Sequence, residues 1–165
     1  MANTDSGPGP FDPALLAAFA RVIIAWSYVE QLQGQLLSFL LNAEGGRVFV
    51  ITQNISANMV TQWIRVLLQI PAVQATGIGN LRELLAEIDD ARDERNALAH
   101  GLWSPVDAPE AAAVQTVRWG RTEVIKDTLV TIGDLGDLLH RIEDIVRKLH
   151  ALAVQFGFSG GLISP

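Results

Sequence analysis

The sequence predicts an all-α protein, a four-to-five-helix up-and-down bundle with a small β-hairpin between the last two helices. Three observations support this fold class. Four stretches repeat their apolar residues at the period of an amphipathic helix, each bounded by capping residues, glycine or proline. One stretch between the third and fourth helices alternates with a period of two. Of the 165 residues 49% are hydrophobic, so one domain over residues 12–157 can bury a core of its own.

The first helix is predicted from Pro13 to about Asn42, because Asp12 suits the N-cap and proline suits the first helical position. Glu30 lies beside its apolar seam and is expected on a largely buried face. The seam is heptad-like, is interrupted by Gln33, and comprises Leu15, Phe19, Val22, Trp26, Val29, Leu36 and Leu40.

The second helix is predicted over residues 56–70, with Asn54 or Ser56 as its cap and Pro71 as its stop. Residues 47–52 fit either a short extended piece or the beginning of the next helix, and periodicity does not decide between them. The apolar stripe of the second helix comprises Met59, Trp63, Val66, Leu67 and Ile70.

A loop over residues 104–109 and a hairpin are predicted between the third and fourth helices. Alternating side chains place its strands near residues 112–119 and 122–130, with Gly120 in the turn. The last helix then begins at a cap formed by Thr131 or Asp134. It ends at Gly157, and a loose tail over residues 158–165 follows.

Composition limits the compartment and the partners. Residues 1–11 form a polar, flexible leader with no signal-peptide pattern, and no apolar run is expected to reach the 18 residues of a membrane helix. Without cysteine there is no disulfide or thiolate metal site, and a cytoplasmic location follows by default. The net charge of −6 disfavours indiscriminate binding to nucleic acid, although it leaves room for a local basic cleft.

The third helix, predicted from a cap at Asn80 to Gly101, carries the most informative residue of the chain, Arg95. A guanidinium cannot lose its charge, so an arginine on an apolar face requires a carboxylate, a phosphate or a wet cavity opposite it. Asn96 and His100 lie at the edge of the same arc. At about 100° per residue, Arg95 falls in the middle of an apolar arc made by Leu81, Leu84, Leu85, Ile88, Ala91, Leu98, Ala99 and Leu102.

The segment from Arg95 to His100 resembles the Arg-polar-x-x-x-His signature of HEPN domains. The context is similar too, with Trp26 and Glu30 on a long first helix, Trp103 shortly after the motif, and a closing helix. The resemblance covers residues 12–157 and implies a helical bundle that is usually a homodimer. It also implies a metal-independent endoribonuclease that acts as a toxin or defence effector, with two motifs paired across the dimer.

The chemistry of the three residues is compatible with that activity. RNA cleavage without a metal needs a base for the 2′-hydroxyl proton, an acid for the leaving oxygen, and positive charge for the phosphorane oxygens. Arg95 suits the last role, and His100 suits either of the others, because imidazole titrates near pH 6.5. Asn96 is expected to orient the imidazole ring or to hold a phosphate oxygen. One imidazole cannot be acid and base in a single step, which favours a symmetric dimer.

A non-catalytic HEPN-like binding or assembly module is the alternative. In that interpretation His100 caps the helix end before Gly101, and an ion pair between Arg95 and Glu30 only stabilises the fold. The toxin interpretation, by contrast, requires a neutralising partner, and the resemblance implies that such an antitoxin is often nucleotidyltransferase-like.

Weaker candidates lie elsewhere in the chain. At the hairpin tip, Arg118, Trp119 and Arg121 combine two guanidinium groups with an aromatic face that can stack on single-stranded RNA, although an ordinary exposed turn is the favoured explanation. His140 and His150 on the last helix have no convergent third ligand, so no metal is expected. Because the chain also lacks a phosphate-binding glycine loop, no cofactor is expected.

Overall fold

The computed structural model describes residues 11–43, 51–52, 54–74, 81–108, 110–118 and 124–157. These residues are mostly helical, with a small three-stranded antiparallel sheet. Residues 51 and 52 are also helical, whereas 47–50 lie outside the described residues. The elements in chain order are α1 (Pro13–Leu40), α2 (Ala57–Leu67), α3 (Pro71–Gln74), α4 (Leu81–His100), β1 (Leu102–Pro105), β2 (Ala111–Arg118), β3 (Val124–Thr131) and α5 (Ile132–Phe156).

The predicted starts of α1, α2 and α5 and the end of α5 are confirmed by their capping residues. The predicted end of the second helix is wrong, because α2 ends at Leu67 and Pro71, predicted as its stop, begins α3. The Ala14 backbone N–H donates to Asp12 Oδ1 at 2.6 Å, and Ser56 Oγ accepts from the Met59 N–H at 3.3 Å. Thr131 caps α5, because the Asp134 N–H donates to Thr131 Oγ1 at 3.1 Å. Gly157 ends that helix with a φ of +70°, a conformation that favours glycine.

The seam of α1 is confirmed, whereas the predicted burial of Glu30 is wrong. Leu15, Val22, Trp26 and Val29 are fully buried. Glu30 is exposed, and its Oε1 accepts a 2.8 Å hydrogen bond from Trp26 Nε1 of the same helix. About 70° separates Glu30 from the centre of the seam at 100° per residue, so its carboxylate lies at the edge of the seam and remains in solvent.

Helix α1 also corrects an expectation about membranes. By length and composition alone it is apolar enough to cross a membrane, with a mean hydropathy of 1.4 over 18 residues, of which 28% are buried. The prediction that no run reaches this length is therefore wrong. A core helix of a globular protein meets the same criterion, and the predicted absence of membrane contact stays a prediction.

Helix α2 buries a different face from the predicted one. Val60, Thr61 and Ile64 face the core, whereas Met59, Trp63, Val66 and Ile70 of the predicted stripe are exposed. A polar contact accompanies the buried face, because Gln33 Nε2 donates to Thr61 Oγ1 at 2.9 Å, and Gln33 and Thr61 are both buried. Apolar residues occur on both faces of α2, so periodicity alone could not select the inner one.

The chain divides into two compact units, each made of two separate stretches. The sheet unit comprises the described residues of Met1–Ile24 and Ala91–His140, and the helical unit comprises those of Ala25–Asp90 and Arg141–Pro165. The predicted single domain over residues 12–157 stays a prediction.

The sheet has the order β1-β2-β3, and both of its pairings are antiparallel. Strands β2 and β3 confirm the predicted hairpin to within one or two residues. The predicted loop over 104–109 is wrong in part, because Ser104 and Pro105 belong to β1 and pair with Ala113 and Ala112. Gly120, predicted in the turn, lies outside the described residues.

Candidate functional site

The end of α4 is fixed against the sheet by a close backbone approach. A Cβ atom on Gly101 would lie 2.4 Å from Val114 Cγ1 and 2.6 Å from the Ala97 carbonyl oxygen, so only glycine fits there. Two residues later, Trp103 Nε1 donates to the Leu98 carbonyl oxygen at 2.7 Å. That bond satisfies one of the carbonyl groups that a helix leaves without a partner in its last turn.

Trp103 in turn packs on the first helix. Its ring centroid lies 5.0 Å from that of Phe19, with an interplanar angle of 55°, and 6.4 Å from that of Phe11 in an edge-on contact. Aromatic pairs at these distances and angles are favourable. The tryptophan that follows the motif is therefore a packing residue that holds the end of α4.

Beside this contact the sheet unit has an open cleft of about 930 Å³, a size typical of ligand sites. Three elements form it: the second half of α4, the β2–β3 hairpin and the start of α5. Its buried lining residues are apolar, whereas most of its exposed lining residues are polar. The lining residues are Asp93, Glu94, Asn96, Ala97, Leu98, His100, Val114, Thr116, Lys126, Thr128, Leu129, Val130, Asp134 and Leu135.

Two of the three predicted catalytic residues open onto this cleft. Asn96 and His100 line it, and the His100 side chain is exposed. Arg95 is half-buried, and its Nη1 donates to Asn96 Oδ1 at 2.9 Å. The Arg95 guanidinium is thus joined to the cleft through Asn96, whose amide oxygen points to the arginine.

The supporting residues predicted from the sequence fall elsewhere. Glu30 belongs to the helical unit, and its predicted ion pair with Arg95 stays a prediction. Arg118 is the last residue of β2, whereas Trp119 and Arg121 lie outside the described residues. Stacking of RNA at the hairpin tip therefore also stays a prediction.

Sequence reasoning missed the wall of the cleft that the sheet provides. Thr116 pairs with Lys126 and Val114 pairs with Thr128, so these four side chains share one face of the hairpin. The period of two in this stretch indicated which residues share a face. It did not fix the strand register or show which face α4 covers.

Two carboxylates of the cleft have partners close to them in sequence. Asp93 Oδ1 accepts from Arg92 Nη2 at 2.9 Å and from Arg92 Nε at 3.2 Å. Asp134 Oδ2 accepts from the Thr131 hydroxyl at 2.7 Å and from the Thr131 N–H at 2.9 Å. These hydrogen bonds, chiefly the one from the hydroxyl, lower the pKa of Asp134.

Metal chemistry finds no support among the residues that the structure describes. They contain no group of three histidine, aspartate or glutamate side chains arranged to hold a metal ion. His140, considered as a weak ligand, has its Nδ1 2.8 Å from the Gly136 carbonyl oxygen on its own helix. That contact ties the ring to the backbone of α5.

Comparisons with models of protein families, with curated proteins and with solved structures give no match to this chain. Its function is therefore argued from the motif on α4 and from the residues of the cleft.

Proposed function

We propose that this chain is a HEPN-like, up-and-down helical bundle that forms a homodimer and cleaves single-stranded RNA without a metal. The observation that carries the proposal is the arrangement at the end of α4. Arg95 is hydrogen-bonded to Asn96, and Asn96 and His100 line one open cleft. This arrangement provides a fixed cation, a polar group that positions it and an exposed imidazole.

The reaction proceeds by attack of the 2′-hydroxyl oxygen on the adjacent phosphorus. One imidazole takes the hydroxyl proton, and a second, protonated imidazole donates a proton to the departing 5′-oxygen as the P–O bond breaks. The products are a 2′,3′-cyclic phosphate and a 5′-hydroxyl. Arg95 stabilises the charge on the phosphorane oxygens, and Asn96 holds the guanidinium in place.

The dimer is part of the proposal because the reaction needs two proton-transfer groups. His100 is the imidazole that each protomer contributes, so a composite site at a dimer interface supplies the acid from one copy and the base from the other. A cytoplasmic toxin or defence role, and an antitoxin protein that blocks the site, belong to the same proposal.

The test compares the wild type with His100→Ala and with His150→Ala, which changes an exposed histidine on α5. Each protein is incubated in EDTA with a mixed single-stranded RNA pool and with DNA of the same sequences, and cleavage is measured on a gel. The wild type and His150→Ala should cleave RNA but not DNA, which lacks the 2′-hydroxyl. His100→Ala should lose activity by roughly 10²- to 10⁴-fold, the usual contribution of a proton-transfer residue.

Light scattering and thermal unfolding on the same samples separate the alternatives. Loss of folding in His100→Ala would identify a structural cap instead of a proton-transfer residue. Full activity in a monomer would contradict the composite site. No cleavage by the wild type would favour the non-catalytic HEPN-like binding or assembly module.

A further inference from the structure

The hairpin presents a lysine and a threonine to the cleft across from the motif. Val114 lies against the backbone of Gly101, the residue after His100. The end of the motif is therefore next to Val114 on the sheet. Thr128 is the cross-strand partner of Val114. Lys126 precedes Thr128 by two residues on the same face of β3, about 7 Å from it along the strand.

The strand pair that carries Lys126 is held in place by its own hydrogen bonds. Thr116 Oγ1 donates to the Lys126 carbonyl oxygen at 3.4 Å. On the opposite face, Gln115 Nε2 donates to Asp127 Oδ1 at 3.0 Å, so the carboxylate next to Lys126 in sequence is directed away from the cleft. The lysine therefore projects from a paired strand.

No described residue pairs with the charge of Lys126, unlike that of the other lysine of the chain. Lys148 Nζ lies 2.6 Å from Glu87 Oε2 and 2.9 Å from Asp144 Oδ2, and the pKa of Lys148 is raised, chiefly by its hydrogen bond to Glu87. Within the described part of the chain, the exposed Lys126 side chain has neither a hydrogen bond nor an ion pair. An unpaired ammonium group beside a cleft is a strong attraction for an anion.

Two of the three carboxylates in the cleft are held by partners close to them in sequence. Arg92 offsets the charge of Asp93, and the capping bonds from Thr131 occupy Asp134. Glu94 is engaged in an interaction of its own. Lys126 and the Thr128 hydroxyl thus form a donor pair, two residues apart on one strand face, opposite a wall that carries His100.

We infer that this face of the hairpin is the substrate-binding wall of the site, where Lys126 and Thr128 bind the backbone phosphate of single-stranded RNA. The inference rests on the proposed ribonuclease function and deepens it. Lys126 supplies a positive charge to a phosphate oxygen, and the Thr128 hydroxyl donates a hydrogen bond to the same phosphate. The apolar floor between the walls receives the base of the nucleotide, so binding is directed to the strand backbone and tolerates any base.

The test measures binding apart from cleavage. The probe is a fluorescent 2′-O-methyl oligonucleotide of mixed sequence, which has no 2′-hydroxyl to react, and anisotropy is measured in EDTA across a range of NaCl concentrations. Lys126→Gln should weaken binding about tenfold and make the slope of log K against log salt shallower by about 0.7, the value for one phosphate contact on a single strand. Thr128→Val should weaken binding two- to threefold, by loss of one hydrogen bond.

The matched control is Arg147→Gln, which removes one positive charge from a side chain that is 76% exposed on α5. It should leave both the affinity and the salt slope within about twofold of the wild type, since this charge does not line the cleft and is paired with Asp144. Lys126→Arg should restore binding. Equal behaviour of Lys126→Gln and Arg147→Gln overturns the inference, as does a wild type that fails to bind at low salt.

Cleavage assays on the same variants separate this inference from the proposed function. If the wild type cleaves RNA and Lys126→Gln matches Arg147→Gln in affinity and KM, the ribonuclease stands and the binding wall is wrong. If the wild type binds the probe through Lys126 but cleaves no RNA, the wall stands and the catalytic proposal is wrong. Both are supported if Lys126→Gln raises KM about tenfold while kcat changes less than threefold.

Discussion

The two halves of α4 have the same helical geometry but different surroundings. Residues 81–90 belong to the helical unit and bury Leu81, Leu84, Leu85 and Ile88. Residues 91–100 belong to the sheet unit, bury only Ala91 and Leu98, and carry Asn96 and His100 to the cleft. One half is therefore devoted to the core and the other to an open polar surface.

The charges differ in the same way. In the first half, Arg65 forms an ion pair with Asp89, and Lys148 Nζ lies 2.6 Å from Glu87 Oε2, so these carboxylates are matched by cations from other helices. In the second half the polar groups pair with their immediate neighbours, as Arg95 does with Asn96 and Arg92 with Asp93. Polar groups gathered at a cleft instead of a core add little to stability.

The largest expected effect is on the packed half. Leu85 is fully buried, so Leu85→Ala should lower the free energy of unfolding by roughly 2–5 kcal/mol through lost burial and the cavity left behind. Urea unfolding measures it, with the exposed Arg82→Ala as a control expected within about 0.5 kcal/mol of the wild type. A cost below about 1 kcal/mol for Leu85→Ala would break the comparison, because the first half would then not form the core.

The contact between α4 and the sheet is the next test. Gly101→Ala places a methyl group against Val114 and the Ala97 carbonyl oxygen and should cost about 2 kcal/mol through overpacking. The control is Gly136→Ala in the interior of α5, where an added Cβ meets nothing within 4 Å. That variant should be more stable by about 1 kcal/mol, because alanine is the better helix former. Thermal and urea unfolding should therefore move in opposite directions for the two variants, and equal shifts would contradict the close approach.

Asn96→Ala tests the polar half. It removes the acceptor of the 2.9 Å hydrogen bond from Arg95, and kcat for RNA cleavage should fall about tenfold, the effect of losing one hydrogen bond to a charged group. KM and the melting temperature should change little, because Asn96 is not part of the core. Glu83→Ala, on the exposed side of the first half, should alter none of the three quantities. A drop in melting temperature without a change in kcat would make Asn96 a structural residue.

Local signals in the sequence were enough for the long helices and the hairpin but not for the cleft. The caps at Asp12, Ser56 and Thr131 and the buried seam of α1 follow from residue chemistry and spacing within a few positions of each other, and the structure confirms them. The motif residues Asn96 and His100 were found in the same way, because helical geometry places them on neighbouring parts of one surface.

What the sequence could not supply depends on contacts between distant segments. Strand β1 has four residues and ends in Pro105, so it shows no alternation until β2 pairs with it. Helix α2 has Ile64 on one apolar face and Trp63 on the other, and packing selected Ile64. The position of Lys126 at the cleft depends on the register of β3 against β2, which no local pattern in the sequence predicts.

The smallest expected effect concerns the start of α5 at the rim of the cleft. Hydrogen bonds from Thr131 lower the pKa of Asp134 in the folded protein. A carboxylate with a lowered pKa stabilises the fold above its unfolded pKa of about 3.9, and that contribution disappears as the pH falls through the folded-state value. Asp134→Asn should therefore reduce the free energy of unfolding by about 0.5 kcal/mol near pH 7, as for a weakened helix cap, with the difference shrinking below about pH 4.

Asp137→Asn is the matched control, since Asp137 is an exposed carboxylate three residues further along α5. Urea unfolding of both variants and the wild type at a series of pH values measures the difference. A difference for Asp134→Asn that stays constant down to pH 2 would mean that the charge of Asp134 does not contribute to the cap. A difference that disappears in acid for Asp134→Asn alone assigns the acid-labile part of this stability to the capping bonds. The rim carboxylate nearest to the start of α5 is then a structural charge held by Thr131.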